Sequence, residues 1–308
     1  MHYKIATIGK QGLTPYLLPC GYSDWFLRWK PLEMDAGVSG RRRGAFLTLG
    51  WGLMSIANRL IGFISAAGRR VLAGNKIDLR LAEQFPEMED WETAIIEATR
   101  PFTMTSTERQ WALISALKYV QQGQVAGDIV ECGVWKGGNL AITGLVGQHL
   151  GQRWKVWGYD TFEGMSEPTV LDQGNFDGAP ASKEFQRSQR DGYNAWCYAP
   201  LEEVRSNIRR CGVDLADYQF VKGKCEETLT RFENIPDRIA VLRLDTDWYE
   251  STKMELDVLF PRLTKYGVLI IDDYGHWSGA KRAVDEYFRD RPVLMNRIDY
   301  TARLILKL

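Results

Sequence analysis

Three acids fall within six positions in Leu244-Asp245-Thr246-Asp247-Trp248-Tyr249-Glu250, directly after the mostly aliphatic and β-branched run Ile239-Ala240-Val241-Leu242-Arg243-Leu244. Such a run reads as a buried parallel strand. Open α/β sheets hold their ligands outside the carboxyl ends of the strands, which is where these acids would stand. A second strand, Val268-Leu269-Ile270-Ile271, runs straight into Asp272-Asp273. If the two strands are neighbours, Asp245, Asp272 and Asp273 converge at one sheet edge. Three hard carboxylates around an open position suit Mg2+, with water and substrate oxygens completing the shell. The plainer alternative is that each Asp caps the helix that follows it. Two strand-end clusters together favour the metal.

A third cluster opens the α/β region. Asp128-Ile129-Val130-Glu131-Cys132 reads as a strand, Gly133-Val134-Trp135-Lys136-Gly137-Gly138 as a turn and Asn139 to Leu150 as a helix. This is a nucleotide-type site without GxGxxG: the glycine that lets a pyrophosphate approach the backbone is missing. Glu131 at the strand end would repel phosphate and favour an ammonium group. Asp160, ending the next strand (Trp154 to Tyr159), stands where an acid accepts from ribose hydroxyls. A ligand with a ribose, an ammonium group and no phosphate fits these acids, and S-adenosylmethionine is such a molecule. Taken singly, Glu131 reads better as a charge satisfied by neighbouring backbone and Asp160 as a helix cap.

The elements that must position these residues alternate strand and helix from Asp128 onward, the signature of a parallel sheet with helical crossovers. Leu201 to Cys211 and Gly279 to Arg289 read as helices. Gln219-Phe220-Val221 reads as a strand, and Val293 to Ile298 and Ala302 to Lys307 as two closing strands. Residues 163–199 form a long polar insertion, a functional lid or a disordered connection by its length. Upstream, Thr105 to Glu108 has capping-box spacing, opening a helix with Trp111, Ile114, Leu117 and Val120 inward. Glu83 to Arg100 is an acidic helical bridge, and the first forty residues are loop-rich. Residues 1–100 therefore read as an N-terminal extension and 101–308 as the main domain. Within the extension, about 45–67 form an apolar helix between Arg41-Arg42-Arg43 and Arg69-Arg70. Arg59 argues against a full span, since a mid-membrane Arg costs roughly 2.5–3.5 kcal/mol. A packed helix or dimer interface is the leading reading, and a peripheral membrane contact the second.

With 308 residues, 45% hydrophobic and 25% charged, the chain can bury a sizeable core. Lys+Arg and Asp+Glu both number 39, which argues against a general nucleic-acid binder. Five cysteines without CxxC spacing point to neither a disulfide framework nor a zinc site, so a cytoplasmic chain is expected.

Glu131 to Gly138, Asp160-Thr161-Phe162-Glu163-Gly164, Leu244 to Thr252 and Asp272-Asp273-Tyr274-Gly275 together resemble the macrocin O-methyltransferase (TylF-type) family, from about Met104 to the C-terminus. The resemblance implies a Rossmann-like class I methyltransferase fold: a mostly parallel seven-stranded sheet, helices on both faces, and an antiparallel C-terminal strand. It implies S-adenosylmethionine and Mg2+ as cofactors and a hydroxyl of a sugar or glycosylated natural product as acceptor. By the same resemblance Glu131, Gly133, Val134, Trp135, Gly137 and Gly138 line the methionine end of the donor, with Asp160 on the ribose. Thr105 and Ser106 match the segment that closes over the carboxylate, and Phe162, Cys225 and Glu226 flank the adenine. Asp245, Asp272 and Asp273 match the metal ligands, and Asp247 the general base, with His276 as a rival. Trp196, Tyr193 and Trp277 are candidates to stack on the acceptor, and a homodimer is expected. Two other functions compete. Asp245-Thr246-Asp247 also spells the DxD of a metal-dependent glycosyltransferase, and a non-catalytic membrane-associated binding protein could use the 45–67 segment.

Overall fold

The two acid-tipped strands are neighbours. In the computed structural model, which describes residues 84–308, β6 (Ile239–Leu244) and β7 (Leu263–Ile271) run parallel with Leu244 opposite Ile271. Three strands on the other side of β6, β1 (Asp128–Cys132), β2 (Val156–Asp160) and β5 (Tyr218–Lys222), complete five parallel strands. β8 (Met295–Arg297) and β9 (Arg303–Leu306) close the sheet, with β9 antiparallel to both β7 and β8. The order is β5-β2-β1-β6-β7-β9-β8, so the mostly parallel seven-stranded sheet with an antiparallel C-terminal strand is what forms.

Both faces of the central strands are buried, which is why their sequences are nearly continuous in apolar residues. Along them are α1 (Asp90–Thr99), α2 (Thr107–Gln122), α3 (Gly138–Leu150), α4 (Ser182–Ser188), α5 (Leu201–Arg210), α6 (Cys225–Thr228), α7 (Tyr249–Val258) and α8 (Ser278–Phe288). Ile129, Val241 and Val268 share a core with Ile95 and Ile96 of α1, Leu113 and Leu117 of α2, and Leu140 of α3. The alternate residues Val130, Leu242 and Leu269 meet Leu256 of α7 and Val284 of α8 on the opposite face.

One expectation fails at α2. The capping box from Thr105 to Glu108 does not form. Ser106 is the N-cap, its hydroxyl accepting from the Arg109 N–H at 3.2 Å, while the Thr105 hydroxyl pairs with that of Thr103 at 2.8 Å. This one-residue shift puts Arg109 in the first turn, beside the sheet edge. Of the residues expected inward, Ile114, Leu117 and Val120 are buried, and Trp111 is half-buried against Phe85.

The 163–199 insertion is folded. It holds α4 and a short ladder of β3 (Gln189–Arg190) with β4 (Tyr193–Asn194). Its root is Asp172, fully buried, whose carboxylate accepts from the Tyr249 N–H at the start of α7 (2.9 Å) and from the N–H and hydroxyl of Thr169. Beside it Ser278, the first residue of α8, donates its N–H to the Gln173 carbonyl, and its hydroxyl accepts from the Gln173 N–H at 3.0 Å. The insertion thus satisfies the exposed N–H groups of both helices that follow the acid-tipped strands. A Cβ on Gly279 would fall 1.9 Å from Asp172 Oδ1, so this contact requires glycine.

The 45–67 segment, read from sequence as an apolar helix, and the first forty residues, read as loop-rich, lie outside the described residues. No helix among the described residues is long and apolar enough to cross a membrane.

Candidate active site

The strand order reverses between β1 and β6, which puts a crevice at their carboxyl ends. A cavity opens there. One wall is the turn after β1, with Gly133, Val134 and Trp135, joined by Asp160 at the tip of β2. The acids Asp245, Asp247, Asp272 and Asp273 form the opposite wall, and Thr105, Cys225 and Glu226 border the same space. Six other candidates stand back from it. Ser106 caps α2. Gly137 and Gly138 serve packing, since a Cβ at either would meet Val204 Cγ1 at 2.9 Å or the Phe102 carbonyl at 2.6 Å. Phe162 is buried against Phe220 in the core. Glu131 lies beneath the cavity, and His276 packs edge-on against Trp277 with Phe176 and Tyr300 around it. Trp277 and Trp196 pack against each other and against buried Trp248, while Tyr193 packs against Tyr198.

The turn after β1 is held from two sides. Gly133 has φ 81°, and a Cβ there would sit 1.9 Å from the Asp245 carbonyl oxygen, so only glycine lets β1 and β6 end this close together. Asp160 Oδ2 accepts from the N–H groups of Val134 (2.8 Å) and Trp135 (3.1 Å), and Oδ1 accepts from Phe162 N–H at 2.7 Å. Asp160 therefore fixes the turn. A carboxylate has about four acceptor sites, and its fourth contact, the Thr161 hydroxyl, is long at 3.4 Å.

Beneath the cavity lies an ion-pair network that the sequence reading passed over. Glu131 and Arg243 are direct cross-strand neighbours. The Arg243 side chain is 2% exposed, and its Nη1 donates to Glu131 Oε1 and Asp245 Oδ2, both at 2.7 Å. Its Nη2 donates to Asp272 Oδ2. Arg109 donates to the other oxygen, Oδ1, of the same Asp272 and forms an ion pair with Asp299, Nε to Oδ2 at 3.0 Å. A single Arg inside an otherwise apolar strand was the available signal, because a buried guanidinium demands carboxylates around it. Glu131 is satisfied by Arg243 and by Asn139 at 3.1 Å, not by backbone, and burial pushes its carboxyl up to about 7. Among the described residues its Oε2 has no hydrogen-bond partner. A buried acceptor left open beside a polar cavity fits a ligand ammonium.

The candidate ligand oxygens of Asp245, Asp272 and Asp273 lie within 4.8 Å of one another. None of these residues caps the following helix through its side chain: the N-caps of α7 and α8 are Trp248 and Trp277. Burial, followed by the charges of Asp247 and Asp245, pushes the Asp273 carboxyl well up. Burial and the charge of Asp245 push Asp272 up, against the pull of Arg243 and Arg109. Among the described residues Asp273 and Asp247 have no ion-pair partner. Clustered carboxylates that repel one another and are short of cations fit a divalent ion. Asp247 has the left-handed φ of 68°, and its N–H donates to Asp273 Oδ2 at 3.3 Å. Burial and then Asp245 push its carboxyl up to a point where it can take a proton near neutrality. His276 is shifted down by burial and by Arg109.

The described cysteines are free thiols, and two of them, Cys132 and Cys225, cluster with Glu255, Cys225 also bordering the cavity. The Thr246 hydroxyl reaches both oxygens of Glu255, at 3.0 and 3.2 Å. Burial pushes this carboxyl from 4.5 up to about 8. Between these values the folded chain keeps a proton that the unfolded chain has lost, so stability falls as pH rises through the window, by up to about 1.4 kcal/mol per unit. Glu255→Gln removes that slope. Urea unfolding at pH 5 and pH 8 should show the variant gaining on the parent at the higher pH; parallel curves would refute the assignment.

A glycine turn held by Asp160 and an acid-tipped switch point give the site the architecture of a Rossmann-type fold. Residues 75–305 match the macrocin O-methyltransferase (TylF) family, and the chain belongs to it. The chain is 35% identical over 186 residues to the 8-demethyl-8-(2,3-dimethoxy-alpha-L-rhamnosyl)-tetracenomycin-C 4'-O-methyltransferase of Streptomyces olivaceus, covering 60% of this chain and 67% of that protein. It is 35% identical over 188 residues to the demethyldecarbamoylnovobiocin O-methyltransferase of Streptomyces niveus, with the same coverage. Among solved structures it is similar to the O-methyltransferase NovP (29% identity, TM-score 0.57, 67% of this chain and 82% of that one). Its fold also matches the calicheamicin methyltransferase CalS11 at 17% identity (TM-score 0.51, 87% and 99%). The chain is an O-methyltransferase, of the class that takes its methyl group from S-adenosylmethionine. The glycosyltransferase and non-catalytic readings give way to the family.

Proposed function

We propose that this O-methyltransferase methylates a hydroxyl of a sugar on a glycosylated natural product, with Mg2+ held by Asp245, Asp272 and Asp273. The observation that carries this reading is one cavity bordered by a glycine turn on one side and a cation-deficient carboxylate set on the other. Two similar proteins are named for tetracenomycin and novobiocin compounds, and the first of those names gives 4'-O-methylation of a rhamnosyl-bearing compound.

In this reading the open Oε2 of Glu131 takes the donor ammonium and Asp160 the ribose, with Cys225 and Glu226 at the adenine. Methyl transfer breaks the S–CH3 bond and forms O–CH3 in line, leaving S-adenosylhomocysteine. Asp247 accepts the acceptor's hydroxyl proton. Mg2+, when bound, supplies Lewis acidity and orientation to the acceptor oxygens. The two walls of the crevice hold donor and hydroxyl in line, which contributes much of the rate.

Isothermal titration with S-adenosylhomocysteine, UDP-sugars and GDP-sugars, with and without Mg2+, tests the reading. S-adenosylhomocysteine should bind one per chain and the sugar nucleotides should not. Methylation of a demethyl glycoside should stop with EDTA and return with Mg2+. Turnover untouched by chelation would remove the metal from the scheme.

A further inference from the structure

We infer that Arg109 is an internal competitor for the divalent cation, sharing Asp272 with the ion and holding Asp299 as its alternative partner. The inference rests on the metal reading above and concerns how tightly the ion is held.

The two guanidinium groups on Asp272 are not equivalent. Arg243 projects from near the carboxyl end of β6, 2% exposed, and serves Glu131 and Asp245 as well, so it cannot leave without stranding carboxylates. Arg109 comes from the first turn of α2, borders the cavity, and is 14% exposed. Only its Nη1 reaches Asp272; its Nε donates to the Ser106 hydroxyl at 3.4 Å and lies 3.0 Å from Asp299 Oδ2 as an ion pair. Asp299 is itself fixed, accepting from the N–H groups of Thr301 (2.9 Å) and Ala302 (2.8 Å) and from the Ser106 hydroxyl (2.9 Å). Transfer of Arg109 fully onto Asp299 therefore needs rotation of the guanidinium end and no displacement of α2.

The electrostatic sign is unambiguous. A positive charge in contact with a ligand oxygen repels a dication within a few ångströms, and partial burial limits the screening. Arg109 thus lowers the affinity for the ion while holding Asp272 in place. Thr103 and Thr105 of the same segment border the donor cavity, so the position of Arg109 also links the ion to the donor side.

Mn2+ binding, read by isothermal titration and by the EPR signal of free Mn2+, tests this without donor, acceptor or turnover. Arg109→Met keeps the length of the side chain and removes the charge, and should bind Mn2+ about tenfold more tightly than the parent. Arg109→Lys should stay close to the parent. Asp299→Asn keeps an acceptor for Thr301 and Ala302 but no longer draws Arg109 away from Asp272, and should weaken binding about threefold. Equal or weaker binding by Arg109→Met overturns the proposal. If that variant does not fold, Asp299→Asn decides, and unchanged or tighter binding overturns it. Saturable binding that is the same in parent and Arg109→Met sinks this inference alone. Failure of both to bind Mn2+ sinks the metal reading and this inference with it.

Discussion

Asp247→Asn should lower kcat by roughly 10²–10⁴-fold while leaving the affinity for S-adenosylhomocysteine unchanged. The substitution suits this position because asparagine tolerates the left-handed backbone that Asp247 adopts at φ 68°. The Asp247 N–H that donates to Asp273 is kept. What disappears is a carboxylate that burial and Asp245 have already made more basic. Loss of the proton acceptor should act on the chemical step, not on binding. Single-turnover methylation combined with titration of S-adenosylhomocysteine separates the two. An unchanged kcat would move the role to another group, with His276 next in line.

Asp272→Ala is expected to abolish divalent binding and to lower stability. Asp272 is the point where two guanidinium groups meet. Its removal relieves some repulsion from Asp245, yet leaves Arg243 short of an acceptor in the interior and Arg109 with Asp299 as its ion-pair partner. Breaking a buried pair from one side costs about 3–5 kcal/mol, and Arg243 is the cation that bears it. Asp272→Asn is the milder companion: it retains an acceptor oxygen, so it should lose the ion with a smaller stability cost. Urea unfolding and Mn2+ titration on both variants give the comparison. An alanine variant as stable and active as the parent would contradict the site described here.

The acids were legible because their logic is local. Asp245 and Asp272-Asp273 directly follow apolar runs, and parallel pairing of Leu244 with Ile271 brings those runs together. The glycine turn after Cys132 is equally local, as is the five-strand parallel pattern. Partners far apart in the chain were not legible. Arg243 finds Glu131 112 positions away, and Arg109 finds Asp272 163 positions away. Asp172 caps a helix 77 positions downstream, so an insertion read as lid or disorder turned out to be rooted. At α2, Thr105 and Glu108 had the spacing of a capping box, but neighbouring Ser106 took the role because its hydroxyl also meets Asp299. Phe162, assigned to the adenine by resemblance, instead fills the core beside Phe220. A motif names residues in order but does not say which side of the backbone they take.

The root of the insertion bears on how this scaffold could be shortened or regrafted. Asp172 and Gln173 terminate the two helices whose preceding loops carry Asp247 and Asp273. Excising the whole segment would therefore not yield a wider, more permissive enzyme; it would fray the very loops that do the chemistry. Swaps meant to change which glycoside enters belong further along, between about 176 and 198, with the stretch from Thr169 to Asn175 carried over intact.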